Sequence, residues 1–206
     1  MIVRQIPTAR GQIFLTFDDG PDAVGTPEVL SVLRTHNIYA TFFLVAEKAR
    51  DQQALLKQIL AEGHAVGNHS WDHRYRNYFR GPVHLGRWLQ RAQDEFMQLG
   101  VTSLSGFRPP AGVIFSHLID AARNQGLPLV LWNERFHDAI FPWTLAKAKR
   151  SASRLTGGSI VLLHDRQSAK RIGPFCATLN SYIEQLKARG FTFAKLPATA
   201  ELLGQS

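Results

Sequence analysis

The sequence predicts an α/β domain in which about seven parallel strands form a barrel-like sheet. Short apolar runs alternate with longer helical segments, which is the order of elements in βαβ units. Glycine repeatedly ends a helical segment just before the next apolar run. The 206 residues, 45% of them hydrophobic, can bury one sizeable core, and no Ser/Gly/Pro-rich linker divides them. A single domain spanning residues 1–206 is therefore expected.

Seven strands are predicted from apolar runs that are rich in β-branched and aromatic residues. They lie at 13–17, 40–45, 65–67, 106–108, 129–132, 159–163 and 192–196. The number of strands favours a barrel over an open sheet, although the pattern itself is compatible with both.

Helices are predicted between these strands. The first begins where Thr26 can act as the N-cap and Pro27 occupies the first helical position, and it ends near Asn37. The others lie at 47–62, 84–99, 116–125, 144–155 and 174–189. In such folds the reactive groups gather at the carboxyl ends of the parallel strands. Functional residues are therefore expected in the loops that follow the strands.

The chain is strongly basic, with 24 Lys and Arg against 16 Asp and Glu and a net charge of +8. The basic residues cluster at 74–91, 147–154 and 166–171. Such clusters are usually solvated helix faces, and they can also attract an acidic polymer in a salt-sensitive way. No nucleic-acid-binding motif accompanies them, so no specific nucleic-acid partner is expected.

Two features of the sequence bear on the cellular compartment of the protein. No apolar stretch of signal-peptide length precedes the first strand, and no run of about 18 apolar residues occurs, so neither a signal peptide nor a membrane span is expected. Cys176 is the only cysteine, which excludes an intrachain disulfide. These observations suggest a cytoplasmic location, with an envelope or secreted location as alternatives. The oligomeric state is left open.

Two adjacent aspartates, Asp18 and Asp19, follow the first predicted strand in the stretch FLTFDDGP. An Asp-Gly-Pro turn would explain them as solvated residues, whereas paired carboxylates at a strand end can divide metal binding from proton transfer. His69 and His73 follow the third strand, at the spacing that places two imidazoles on one face of a helical turn. An isolated pair with this spacing is more often two surface histidines.

Three more strand ends carry polar residues: Arg108 before two prolines, Asp138, and His164. A rigid turn, a solvated carboxylate and a hydrogen-bonded structural histidine would explain them separately. Separate explanations do not predict that all of these groups follow successive strands at the same end of the sheet. Together they supply one aspartate and two histidines, enough to bind a catalytic metal and leave a position open for water.

Four stretches, taken in order, resemble the motifs of the polysaccharide deacetylases, the NodB-homology domain of carbohydrate esterase family four. They are Thr16-Phe17-Asp18-Asp19-Gly20, His69-Ser70-Trp71-Asp72-His73, Arg108-Pro109-Pro110 and Leu162-Leu163-His164, and the resemblance extends from about Gln12 to Leu196. It implies a distorted (β/α) barrel and metal-dependent removal of acetyl groups from N-acetylated sugars. Some members act on O-acetylated xylan instead.

The resemblance assigns roles to the first group of residues. Asp19, His69 and His73 would hold a divalent metal, with Zn²⁺ as the first expectation and Co²⁺ or another transition metal as alternatives. Asp18 would act as the catalytic base and take the proton of the attacking water. Arg108 would keep Asp18 ionised and orient its carboxylate.

The remaining motif residues would serve the leaving group and the substrate. His164 would protonate the leaving amine, with Asp138 holding its ring and raising its pKa. The backbone N–H of Ala111 would stabilise the oxyanion, Pro110 would belong to the same substrate-binding turn, and Leu162 would wall the pocket for the acetyl methyl group.

The sequence departs from the family pattern at two positions, so the sugar groove is expected to differ. Ala111 stands where the family has Tyr, and Ala139 follows Asp138 where the family has Trp. Trp132 and Trp143 are both candidates to replace that missing Trp.

The expected substrate is an N-acetylglucosamine-containing poly- or oligosaccharide of the chitooligosaccharide or peptidoglycan type. The alternatives are an O-acetyl esterase acting on acetylxylan and a catalytically silent basic domain that binds an acidic polymer. A hydrolase of small cyclic amides is disfavoured, because that branch of the family tends to lose the metal-binding histidines, which are present here.

Overall fold

The computed structural model describes residues 1–204, in which helices cover the outer side of a parallel sheet. The strands are β1 Ile2–Val3, β2 Gln12–Asp18, β3 Thr41–Leu44, β4 Ala65–Asn68, β5 Leu129–Val130, β6 Glu134–Arg135, β7 Ile160–His164 and β8 Thr192–Phe193. The helices are α1 Gly25–Thr35, α2 Ala46–Asp51, α3 Gln53–Ala61, α4 Pro82–Gln98, α5 Ser116–Asn124, α6 Leu145–Arg154, α7 Ala169–Ala188 and α8 Thr199–Gly204, and 3₁₀ turns lie at Tyr75–Phe79 and Pro110–Gly112. The predicted α/β fold class is confirmed.

The strands pair in the order β4-β3-β2-β7-β6, with β8 also paired to β2 and β1 paired to β5, and all of these pairings are parallel. Single bridges link Phe107 to Asn68 of β4 and to Leu129 of β5. Within residues 1–204 no pairing joins β5 to β6. Both edges of β5 are occupied, one by β1 and the other by Phe107. The barrel is therefore distorted, and among the described residues no ladder joins β1 to β6.

Three predicted strands are shorter than expected, among them 192–196, which is a strand only at Thr192–Phe193. The segment 106–108 is reduced to bridges at Phe107, and the segment 129–132 ends as a strand at Val130. Proline has no backbone N–H to donate, so Pro109 and Pro110 cannot continue a ladder beyond Arg108. The two-residue strands β1 and β6 escaped prediction because neither is long enough to show an alternating pattern.

Side chains alternate along β2, and the inward-facing ones become polar towards one end of the barrel. Phe14 lies in a small apolar cluster inside the barrel with Val130 and Ile160, while the residues between the inward positions pack against the helices. Thr16 and Asp18 continue the inward row, since side chains two positions apart share a face. Polar groups thus replace the apolar core towards the carboxyl end of β2.

The entry to α1 differs from the prediction. Because α1 begins at Gly25, Thr26 is not the N-cap and Pro27 is the third helical residue instead of the first. The Asp22 carboxylate accepts hydrogen bonds from the backbone N–H groups of Val24 and Gly25 at 3.1 and 2.8 Å. The Thr26 hydroxyl accepts from the Asp22 N–H and donates to Asp165 at 2.5 Å. The Thr26 side chain thus connects this loop to the end of β7.

The helices at 84–99, 116–125 and 144–155 match the prediction to within two residues at each end, whereas two others differ more. The predicted helix at 47–62 is divided at Gln52 into α2 and α3, and α7 begins at Ala169, so that Pro174 lies inside it. None of the helices in residues 1–204 combines the length and apolar character that crossing a membrane requires.

Candidate active site

Three potential metal ligands converge at the ends of β2 and β4. Asp19 Oδ1 lies 3.4 Å from His69 Nε2 and 3.1 Å from His73 Nε2, and the three ligand atoms lie within 4.8 Å of one another. His69 is buried, whereas Asp19 and His73 are partly exposed. The structure therefore brings together the three side chains that the sequence proposed as a metal centre.

The backbone turns sharply at this cluster. Asp19 and His73 have φ angles of 75° and 55°, in the left-handed region that non-glycine residues seldom adopt. Lys48 Nζ donates to the Asp19 carbonyl at 2.6 Å, and Ser70 Oγ accepts from the His73 N–H at 3.1 Å. These bonds hold two strained residues in place, as is common at functional sites.

The donor set fits a divalent metal. The Arg108 carbonyl lies 2.7 Å from His69 Nδ1, and because a carbonyl only accepts, Nδ1 must carry the hydrogen and leave the Nε2 lone pair for a metal. Burial favours a higher pKa for Asp19, but hydrogen bonds and charges from His69 and His73 bring its pKa well below the ordinary value. One carboxylate and two imidazoles are a ligand set that Zn²⁺ and similar ions accept.

Asp18 has different partners from its neighbour. Arg108 NH1 donates to Asp18 Oδ1 and to Thr16 Oγ1, both at 2.7 Å, while Nε and NH2 donate to the carbonyls of Val130 and Leu131 at 3.0 Å. Arg108 is completely buried, which lowers its pKa, and the charge of Asp18 acts in the opposite direction. The guanidinium is fixed at four points and thereby fixes one oxygen of Asp18.

His164 and Asp138 form a second ion pair, between the end of β7 and the loop after β6. His164 Nδ1 lies 3.0 Å from Asp138 Oδ1, and the His164 N–H donates to Asp138 Oδ2 at 2.7 Å. Burial alone would lower the pKa of His164, but the hydrogen bond and charge of Asp138 raise it to about 9. Gln167 Nε2 donates to the His164 carbonyl at 3.0 Å, and Arg171 NH2 donates to the Asp138 carbonyl at 2.5 Å.

These groups face one pocket of about 240 Å³. It is lined by Asp18, Asp19, His69, His73, Tyr75, Ala111, Trp132, Arg135, His137, Ala139, Ile140, Leu162 and His164. Arg108 and Asp138 lie behind its wall, each fully buried. Pro110 is buried as well, and its carbonyl accepts from the Tyr78 hydroxyl at 2.9 Å, which holds the turn that presents Ala111.

The structure separates the two tryptophans that could replace the missing family Trp. Trp132 lines the pocket, whereas Trp143 is buried among Phe136 and Tyr182, with ring centroids 4.6 and 5.4 Å away. A Cβ at Gly112, where φ is 67°, would lie 2.5 Å from the Trp132 ring. Trp132 therefore supplies the aromatic wall, and its position requires glycine next to it.

Several residues of the site were missed from the sequence. Thr16 could have been found, because it lies two positions before Asp18 and hence on the same face of β2. The side chains of Lys48, Gln167 and Arg171 donate hydrogen bonds to backbone carbonyls, and no short sequence motif predicts such bonds.

Comparisons with known proteins agree on one family. The family model described as polysaccharide deacetylase matches residues 5–130. Chitooligosaccharide deacetylase of Sinorhizobium fredii is 32% identical over 212 residues, which cover 95% of this chain and 96% of that protein. Peptidoglycan-N-acetylglucosamine deacetylase of Listeria monocytogenes is 32% identical over 205 residues, or 98% of this chain. The chain spans only 41% of the length of that relative.

A solved structure shares the fold and carries a metal. A family 4 acetyl xylan esterase from Clostridium thermocellum in complex with a cobalt ion superposes with a TM-score of 0.80 at 28% identity. The match covers 94% of this chain and 91% of the esterase.

Proposed function

Because the chain belongs to the polysaccharide deacetylase family, we propose that it hydrolyses the acetamido group of N-acetylglucosamine units in chitooligosaccharide- or peptidoglycan-type glycans. One observation carries the proposal: a three-ligand metal cluster, a carboxylate fixed by a buried arginine, and a histidine of raised pKa face the same pocket. These are the groups that hydrolysis of an amide requires.

Asp19, His69 and His73 would hold the metal, which we propose to be Zn²⁺, with Co²⁺ as the alternative. When bound, the metal supplies a Lewis acid for the acetyl carbonyl and lowers the pKa of the attacking water towards about 7. The Nδ1–H bond from His69 to the Arg108 carbonyl orients its ring for this task.

Asp18 is proposed as the base that accepts the proton of the attacking water. Its Oδ1 is occupied by Arg108, so Oδ2, which lies 3.8 Å from His69 Nε2, is the oxygen that faces the metal cluster. Arg108 compensates the charge of Asp18 and keeps its carboxylate from rotating.

The backbone N–H of Ala111 is proposed to donate to the acetyl oxygen as it becomes negative. Ala111 has a φ of 58° and lines the pocket, and Leu162 lies on the same pocket wall as a contact for the acetyl methyl group. Donors of this kind contribute about 3 kcal/mol to transition-state stabilisation.

His164 is proposed as the acid that protonates the leaving amine. Because Asp138 holds Nδ1, the proton available for transfer is on Nε2. With a pKa raised to about 9, His164 is protonated at neutral pH and can donate. An amide needs this step because a free amide anion does not leave.

The proposal is tested by acetate release from chitooligosaccharides, peptidoglycan, acetylxylan and small N-acetyl sugars, using protein with measured metal content. We expect the N-acetylglucosamine oligomers to be deacetylated fastest. Faster release from acetylxylan would indicate an O-acetyl esterase. No release from any substrate by fully metal-loaded protein would indicate a binding domain.

A further inference from the structure

A second cavity of about 230 Å³ adjoins the catalytic pocket, and we call it the basic cleft. It is lined by Glu134, Arg135, Phe136, His137, Lys147, Arg150, Ser151 and Arg154. Arg135 and His137 also line the catalytic pocket. The two cavities therefore share a wall, formed by β6 and the residues that follow it.

The cleft is built from β6 and one face of α6. Lys147, Arg150 and Arg154 are three and four positions apart on α6, which places them on the same side of the helix. Lys149 belongs to the same helix and is exposed, but it does not line the cleft. The cations thus converge on a concavity, which a merely solvated basic helix would not require.

Most of the positive charge in the cleft is uncompensated. Glu134 is the one carboxylate in the lining, and Arg154 NH2 already lies 3.2 Å from each of its oxygens. Among residues 1–204, the side chains of Arg135, Lys147 and Arg150 have no hydrogen-bonding or ion-pair partner. Three free cations therefore face a cavity next to the reacting groups.

Resting on the proposed function, we propose that the basic cleft binds a phosphate group carried by the acetylated sugar, so that among N-acetylglucosamine substrates the protein favours a sugar phosphate or a diphosphate-linked sugar. A phosphate ester carries a charge of roughly −1.5 to −2 near neutral pH, which matches several cations better than a single carboxylate does. Guanidinium groups bind phosphate oxygens in pairs. Arg135, which lines both cavities, would place the phosphate beside the sugar.

The kinetic test compares the double variant Lys147→Ala/Arg150→Ala with Lys149→Ala, which removes a charge from α6 outside the cleft. The substrates are N-acetylglucosamine 1-phosphate, UDP-N-acetylglucosamine and the neutral N,N′-diacetylchitobiose. We expect the double variant to raise KM for one of the phosphorylated substrates at least about tenfold more than KM for the neutral one. The two phosphorylated substrates distinguish a monophosphate from a diphosphate link, and Lys149→Ala should leave every KM unchanged.

Binding is also measured without turnover, by calorimetry of inorganic diphosphate with the metal-loaded protein. Any contribution of the metal to diphosphate binding is the same in both variants. If the cleft binds diphosphate, its Kd is expected to be at least about tenfold higher in the double variant than in Lys149→Ala. Equal Kd values in the two variants would overturn the inference. It would also be overturned if a single-stranded oligonucleotide bound more tightly than the sugar phosphates and depended on the same residues.

These outcomes separate the two proposals. Deacetylation of neutral oligomers with no preferential effect of the double variant on phosphorylated sugars would refute the basic cleft as a phosphate site and leave the proposed function standing. If no substrate is deacetylated but the diphosphate Kd depends on Lys147 and Arg150, the proposed function is refuted and the basic cleft stands as a phosphate site.

Discussion

Arg108 and Asp18 form an ion pair in which NH1 lies 2.7 Å from Oδ1 and both side chains are buried. Asp19, the next residue, turns away through a φ of 75° and faces His69 and His73 instead. Two adjacent carboxylates thus have separate partners. This separation makes opposite predictions for the same chemical change at neighbouring positions.

Asp18→Asn should abolish deacetylation while retaining the metal, because the amide oxygen can still accept from Arg108 but the basic carboxylate oxygen is lost. Asp19→Asn should lose metal, since a neutral amide is a poorer ligand than a carboxylate. Elemental analysis and acetate release are measured on both variants. If both retain metal or both lose it, the division of roles between the two aspartates is wrong.

Replacement of His164 should harm amide hydrolysis more than ester hydrolysis. An activated phenolate leaves without a proton, whereas the amine of an N-acetyl sugar must be protonated. His164→Ala is therefore expected to reduce acetate release from N-acetylglucosamine oligomers by roughly 10²- to 10⁴-fold and hydrolysis of an activated phenyl acetate by much less. Equal losses on the two substrates would contradict the acid role.

The pH dependence should report the Asp138–His164 pair. Since the folded-state pKa of His164 is raised to about 9 from its ordinary 6.5, the stabilisation from this pair is complete below about pH 6.5 and is lost as the pH rises through about 9. Activity should fall over the same alkaline range, because the acid loses its proton. In Asp138→Asn the alkaline limb of kcat/KM should move to lower pH.

A surface change provides the control for that shift. Asp120→Asn removes an exposed carboxylate that pairs with Arg123, away from the pocket, and should leave the alkaline limb in place. An alkaline limb that stays the same in Asp138→Asn would exclude His164 as its source.

Asp165 is fully buried, and burial raises its pKa to about 7 against the opposing hydrogen bond from Thr26. Among residues 1–204 its Oδ1 has no hydrogen-bonding partner. The raised pKa means that the folded state loses stability as the pH rises from about 4 to about 7, because the unfolded chain ionises first. Asp165→Asn keeps an acceptor for Thr26 without the charge.

Asp165→Asn should therefore be more stable than the parent protein at about pH 8, by on the order of 4 kcal/mol, and close to it at about pH 4. Urea unfolding of the two proteins at both pH values measures this difference. A gain of the same size at both values would show that the charge of Asp165 is not its cause.

The position of the site could be predicted from the sequence better than the hydrogen bonds that hold its residues in place. Asp18, His69, Arg108 and His164 could be placed together because each follows an apolar run, and parallel strands bring such ends to one edge. Their chemical roles stay predictions. The interruption of the barrel between β1 and β6 was not predictable, because two-residue strands such as these show no alternating apolar pattern.

Supporting contacts were harder to predict for a physical reason. Arg171 donates to the carbonyl of Asp138, and Lys48 donates to that of Asp19, so neither partner has a side-chain signature in the sequence. In the chain alone, Arg171 is one more member of a basic cluster.

The open side of the barrel bears on how the protein behaves at high concentration. An unpaired strand edge is a template on which another chain can add a strand and begin aggregation. Here β6, which ends the β4-β3-β2-β7-β6 series, has only the two residues Glu134 and Arg135, and both carry charges. So short and so charged an edge offers little backbone to an incoming strand, and we therefore expect little strand addition at β6.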